Sequence, residues 1–132
     1  MKGGIGVNTV VLSVILVLVV IYIVPFFVYG VFSKVAGLKP PEGVSPAQFL
    51  LSVFISKVGT AIAFVLLFYF GRGYFSEKWL LYAFIWWVMF VIDEMGQAMG
   101  PNYSWSEAVA GIISETVYFP TSAYLINLMI GT

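Results

Sequence analysis

Neither cysteine nor histidine occurs in the 132 residues, and this double absence bounds the chemistry tightly. It removes thiol and disulfide chemistry, histidine-ligated haem, and zinc or iron sites built from His and Cys. Any acid, base or ligand must come from carboxylates, Lys57, tyrosines, hydroxyls or backbone. Charge is also scarce, at 9% of residues against roughly 25% in soluble domains. The six basic and six acidic residues sum to zero and form no basic run, so the electrostatic footprint for nucleic acid is missing. The repeated Asp-rich motifs with which membrane enzymes hold metals and diphosphates are missing as well. The sequence therefore assigns no catalytic residue, no cofactor and no metal. A retinal-type Schiff base at Lys57 fails on size, because four helices are too few to enclose the chromophore.

What is present points to lipid as the solvent. The chain is 61% hydrophobic and 18% aromatic, with a mean hydropathy of +1.03. An apolar run from Ile5 to Phe32 exceeds the roughly 20 residues needed to cross a bilayer and outruns a signal-peptide core. Pro25 lies inside it and is expected to kink the helix or end its regular part. Lys34 to Val44 reads as an interfacial loop. Ser45-Pro46-Ala47-Gln48 then marks a helix start with a hydroxyl cap and a proline in the first turn. Gly71-Arg72-Gly73 ends that helix, Ser76 is expected to cap the next, and Ser104-x-x-Glu107 matches a capping box for the last. Pro120 falls inside the last helix, where Thr116, Thr121 or Ser122 can accommodate it. The expectation is an all-α, polytopic four-transmembrane-helix bundle in a single domain, residues 1–132, with helices near 6–33, 46–70, 77–99 and 105–130. Lipid leaves no other way to satisfy the backbone short of a closed barrel.

Four spans would place both termini on one side, with Lys2, Arg72 and Lys78 facing Lys34 and Lys39 across the membrane. That excess favours cytoplasmic termini. Trp79 and Trp105, each at the start of a helix entering from a different side, should mark opposite interfaces, with Trp86 and Trp87 deeper.

The informative residues are the charges inside the spans, each costing roughly 2.5–3.5 kcal/mol in hydrocarbon. Lys57 lies 12 residues beyond Ser45, about 18 Å into the membrane, and Glu115 lies 11 beyond Ser104, about 16 Å in from the same side. This depth match predicts that they pair, so that removing either alone would strand the other. Asp93 and Glu94 approach from the same side on the third helix, with Asp93 sharing a face with Trp86, Phe90 and Gln97. Glu107, Gly111, Ser114, Glu115, Tyr118 and Ser122 form a polar stripe on the fourth helix, which should avoid lipid. Ser52, Ser56 and Thr60 make a small-residue row suited to packing against another helix.

These positions imply a polar pocket with Lys57 and Glu115 at its floor and Asp93 or Gln97 closing the shell. The candidate ion- or substrate-binding residues are Lys57, Asp93, Glu94, Gln97, Glu115 and Tyr118. The expected function is binding or moving an ion, a proton or a small ligand, as a homo-oligomer or within a larger membrane complex, since four helices leave little room for a pathway. The alternative is an accessory or assembly subunit in which the buried charges hold helices together.

Overall fold

A computed structural model describes residues 6–37, 43 and 45–131. Lys2, Lys39 and Glu42, on which the orientation argument partly rests, lie outside the described residues. The described residues form five helices and no strand: α1 (Val7–Val35), α2 (Pro46–Phe70), the single turn α3 (Arg72–Phe75), α4 (Trp79–Ala98) and α5 (Trp105–Ile130). Three of them, Val7–Val35, Ala47–Phe70 and Trp79–Ala98, are long and apolar enough to cross a membrane.

Helix α1 continues through Pro25 without a break and buries that residue. It closes at Ala36, whose N–H returns to the Phe32 carbonyl at 2.7 Å, and Gly37 follows with φ of 71°, a left-handed turn that glycine adopts without strain. Helix α2 begins with the Gln48 N–H donating to the Ser45 hydroxyl at 3.1 Å. It ends at Gly71, where Arg72 donates to the Tyr69 carbonyl at 2.8 Å and stacks over the Tyr69 ring. Here one expectation is corrected. Helical bonding resumes at Arg72–Phe75, and the Ser76 N–H is taken up by the Arg72 carbonyl. Ser76 is therefore the C-cap of α3, and α4 starts later, at Trp79, from Lys78 without a side-chain cap. The capping box of α5 is complete, with Ser104 and Glu107 exchanging bonds of 3.1 Å in each direction.

The least apolar long helix occupies the middle. Helix α5 packs along both α1 and α4, α2 lies on α1, and the α2 and α5 backbones approach each other little. Small residues on α5, Ala108, Ala110, Gly111 and Ser114, are buried and let its neighbours come close. The gap between α2 and α4 is filled by side chains instead. Phe64 stacks with Phe119 and meets Tyr82 and Trp86, and the Tyr82 hydroxyl donates to the Phe64 carbonyl. These rings form the core toward the termini. Large apolar residues such as Ile15, Ile55, Phe84 and Leu128 stay exposed on the outer faces, which suits lipid rather than water.

The tryptophans fit this antiparallel arrangement. Trp79 packs on Tyr124 with ring centroids 5.4 Å apart, and Tyr124 lies 19 residues along α5 from Trp105, about 28 Å away. Trp79 and Trp105 thus mark opposite ends of the helix pair.

Candidate functional site

The polar stripe of α5 faces inward. Gly111, Ser114, Glu115, Tyr118 and Ser122 are all buried, and Glu107 is half-buried at the start of the helix. Glu115 is 3% exposed and Tyr118 1%. Enclosure of Glu115 follows from its neighbours: α1 and α4 flank the helix, and Lys57 reaches over from α2.

Of the two adjacent acids on α4, the structure turns Glu94 inward, with 8% exposure, and Asp93 outward. This corrects the expected pocket wall. Packing of Trp86 on Phe64 and Phe119, and of Phe90 on Phe119, fixes the face. The next positions on that face, four residues apart, are Glu94 and Ala98, both buried. Asp93 and Gln97 are rotated off it, exposed, and joined to each other at 2.6 Å. They do not close the shell around Lys57 and Glu115.

Glu94 is seated against α5 at Gly111. A Cβ at that glycine would fall 1.8 Å from Glu94 Oε2 and 2.4 Å from its carboxyl carbon, so only a residue without a side chain admits the carboxyl. Glu115 lies one turn further along the same face and is buried beside it, 3% exposed. One oxygen, Glu115 Oε1, is fully enclosed without a hydrogen-bond partner. Such a group is costly in a low-dielectric interior.

The second correction concerns Lys57. Its ammonium donates to the Tyr118 hydroxyl at 3.3 Å and lies 5.0 Å from the centre of that ring, so Tyr118 stands where direct contact with Glu115 was expected. Because α2 leans on α1 and stays apart from α5, the long lysine side chain meets the large tyrosine first. Lys57 thus meets α5 one turn from Glu115, with Tyr118 filling the gap between them.

Toward the α4–α5 connection the cluster is closed by two phenols that sequence reasoning missed. Tyr103 donates to Glu94 Oε1 at 2.5 Å, and its oxygen lies 3.2 Å from that of Tyr29 on α1. Tyr29 in turn donates to the Glu107 carbonyl at 3.1 Å. Tyrosines near a span end read as interfacial anchors, and nothing in their spacing distinguishes these two from the other six in the chain. The signal that was available is the S-x-x-E box, which brings the residue just before Ser104 down onto the α5 terminus.

Burial, and next the hydrogen bond to Glu94, hold the Tyr103 phenol above the ordinary tyrosine range. A raised folded-state value means that the folded chain keeps this proton longer than the unfolded one. The associated stability is complete below about pH 10 and is lost as pH climbs through the folded value. Tyr103→Phe should cost about 1 kcal/mol at neutral pH, the worth of a half-exposed hydrogen bond. It should also flatten the alkaline decline in the unfolding midpoint, measured by thermal unfolding of the purified chain. An unchanged midpoint and pH profile would separate Tyr103 from the cluster.

Among the described residues no group of three or more acidic side chains is arranged to hold a metal ion. Two surface grooves among the described residues lie elsewhere, one on α1 around Phe26 and Lys34 and one between α4 and α5 around Phe84, Trp87 and Thr116. Comparison with family models, with curated proteins and with solved structures finds no match to this chain.

Proposed function

We propose that this chain is a multi-pass membrane protein whose Lys57–Glu94–Glu115 cluster binds or moves an ion, a proton or a small ligand, working as an oligomer. In this reading α5 is a fourth span. Its 26 residues reach about 39 Å, ample for a bilayer, and its polar side chains are hidden by α1, α4 and Lys57 instead of facing lipid. The observation that carries the proposal is Glu115: a carboxyl 3% exposed, with an enclosed oxygen lacking any partner, beside a second buried carboxyl. A carboxylate used only to join helices would be expected to take a direct cationic partner, and Lys57 stops at Tyr118.

Reconstitution into liposomes, with pH and cation flux read in wild type and in Glu115→Gln, tests this. Flux in wild type that disappears in the variant supports it. Absence of flux, with other membrane proteins co-purifying, favours the accessory-subunit reading. That second reading draws on exposed polar groups that no helix of this chain covers: Ser52 and Ser56 on α2, and the Asp93–Gln97 pair on α4. Polar side chains on an outer face suit contact with another helix better than contact with lipid.

A further inference from the structure

We propose that Glu94 and Glu115 hold a single proton between them, so that the ligand of this site is H⁺ and its occupied form is a hydrogen-bonded carboxylic acid–carboxylate pair. This rests on the reading of the cluster as a binding site and names what it binds.

Both carboxyls are buried, and each is only an acceptor when ionised. Position on α5 brings them together: the Glu94 carboxyl fills the space at Gly111, and Glu115 is the residue four further on, the neighbouring position on a helix face. No donor from the protein reaches Glu115 Oε1. A proton bound covalently to one carboxyl and donated to the other supplies the missing donor. Two ionised carboxylates at neighbouring positions in a low dielectric would repel each other strongly, the situation that makes paired acids share a proton.

Charge accounting gives the same number. The titratable groups facing the pair are Tyr29 from α1, Lys57 from α2, Tyr103 from the α4–α5 connection, and Tyr118 from α5, with Glu107 in the capping box further out. Asp93, exposed and joined to Gln97, acts on the pair only from the outer side of α4 and stands outside this count. Lys57 contributes one positive charge, and two carboxyls sharing one proton contribute one negative charge, so the cluster is neutral with a single proton bound. Loading is written simply: a proton arriving from water forms one O–H bond to a carboxylate oxygen, and the pair passes from two negative charges to one. Tyr103 and Tyr29 lie on the side facing the α4–α5 connection, which is the short way to water.

A sodium ion would also bring two ionised carboxylates and Lys57 to neutrality, but Glu94 is lodged against α5 at Gly111 and its Oε1 is taken by Tyr103. Among the described residues no third acidic side chain joins the two to hold a metal ion, whereas a proton needs only the pair.

Infrared spectroscopy on the full chain in lipid nanodiscs at neutral pH tests the proposal. It reads the protonated-carboxyl C=O band, with carboxyl-labelled [¹³C]glutamate to separate glutamates from Asp93, the chain's single aspartate. The expected result is one label-sensitive band in wild type, absent from both Glu94→Gln and Glu115→Gln, because the surviving carboxyl ionises against Lys57. Asp93→Asn should leave it intact, and helicity by circular dichroism shows that each variant is folded. The proposal is overturned by a wild type without the band, by a band that survives in either single glutamine variant, or by a wild-type band that disappears when sodium replaces a large organic cation. No gradient or transport enters this readout. A band in a chain that moves nothing leaves the shared proton standing and removes the transport reading, whereas Glu115-dependent flux without the band does the reverse.

Discussion

Gly111→Ala should destabilise the protein by about 2 kcal/mol, although alanine in place of a helical glycine ordinarily stabilises a helix by up to about 1 kcal/mol. The reversal comes from a single contact. The new Cβ would stand 1.8 Å from Glu94 Oε2 and 2.8 Å from Oε1, so the carboxyl must leave its seat on α5. It cannot withdraw freely, because Tyr103 holds one oxygen and α4 packs along α5 on either side. Displacement would break the Tyr103 bond and separate Glu94 from Glu115. In a Glu94→Ala background the obstruction is gone, and the same glycine substitution should turn favourable. Thermal unfolding of the four proteins of this double-mutant cycle in detergent measures the coupling. Equal effects of Gly111→Ala with and without Glu94 would show that the carboxyl is not lodged there.

The helices were legible because lipid imposes a simple rule. Long apolar runs, the Ser45 and Ser104 caps and the Gly71 stop each act within a few residues, and each is found where the pattern put it. The start of α4 was misplaced because Ser76 had two local uses, cap of the next helix or end of the preceding turn, and hydrogen bonding with Arg72 settled it. Spanning character was harder to read. Helix α5 carries two glutamates, serines, threonines and an asparagine, and only its packing, with α1 and α4 along its sides, explains how such a sequence can sit among apolar helices.

For the site, depth was readable and azimuth was not. Counting from the caps placed Lys57 and Glu115 at one level, and Lys57 does meet α5 one turn from Glu115, at Tyr118. Choosing between Asp93 and Glu94 needed the rotation of α4 to within about 100°, the angle between successive residues. Both settings offer an acceptable wheel from Trp86 and Phe90. Contacts of Trp86 with Phe64 and Phe119, made between helices far apart in sequence, decide the matter. Tyr29 and Tyr103 were invisible for the same reason, since their partners are brought together only by the fold.

Glu94 also changes what removing a charge should do. With Lys57 opposed to one carboxylate, losing Glu115 would strand the lysine; with two carboxyls in the cluster it does not. After Glu115→Gln the remaining Glu94 ionises and balances Lys57, so the variant should unfold within about 1 kcal/mol of wild type, and Glu94→Gln should behave alike, since the altered groups keep their shape. Removing both carboxyls leaves the ammonium alone. That double variant should lose about 3 kcal/mol, the order of a stranded charge in hydrocarbon. Adding Lys57→Met should recover most of it, because the cation is then gone as well.

The direct test of the buried cluster as one electrostatic unit is therefore the unfolding free energy of these variants side by side in one detergent at neutral pH. Two nearly neutral single changes, a strongly destabilised Glu94→Gln, Glu115→Gln pair and rescue by Lys57→Met are the expected results. Losses from the two glutamates that simply add, with no rescue on removing Lys57, would contradict the account.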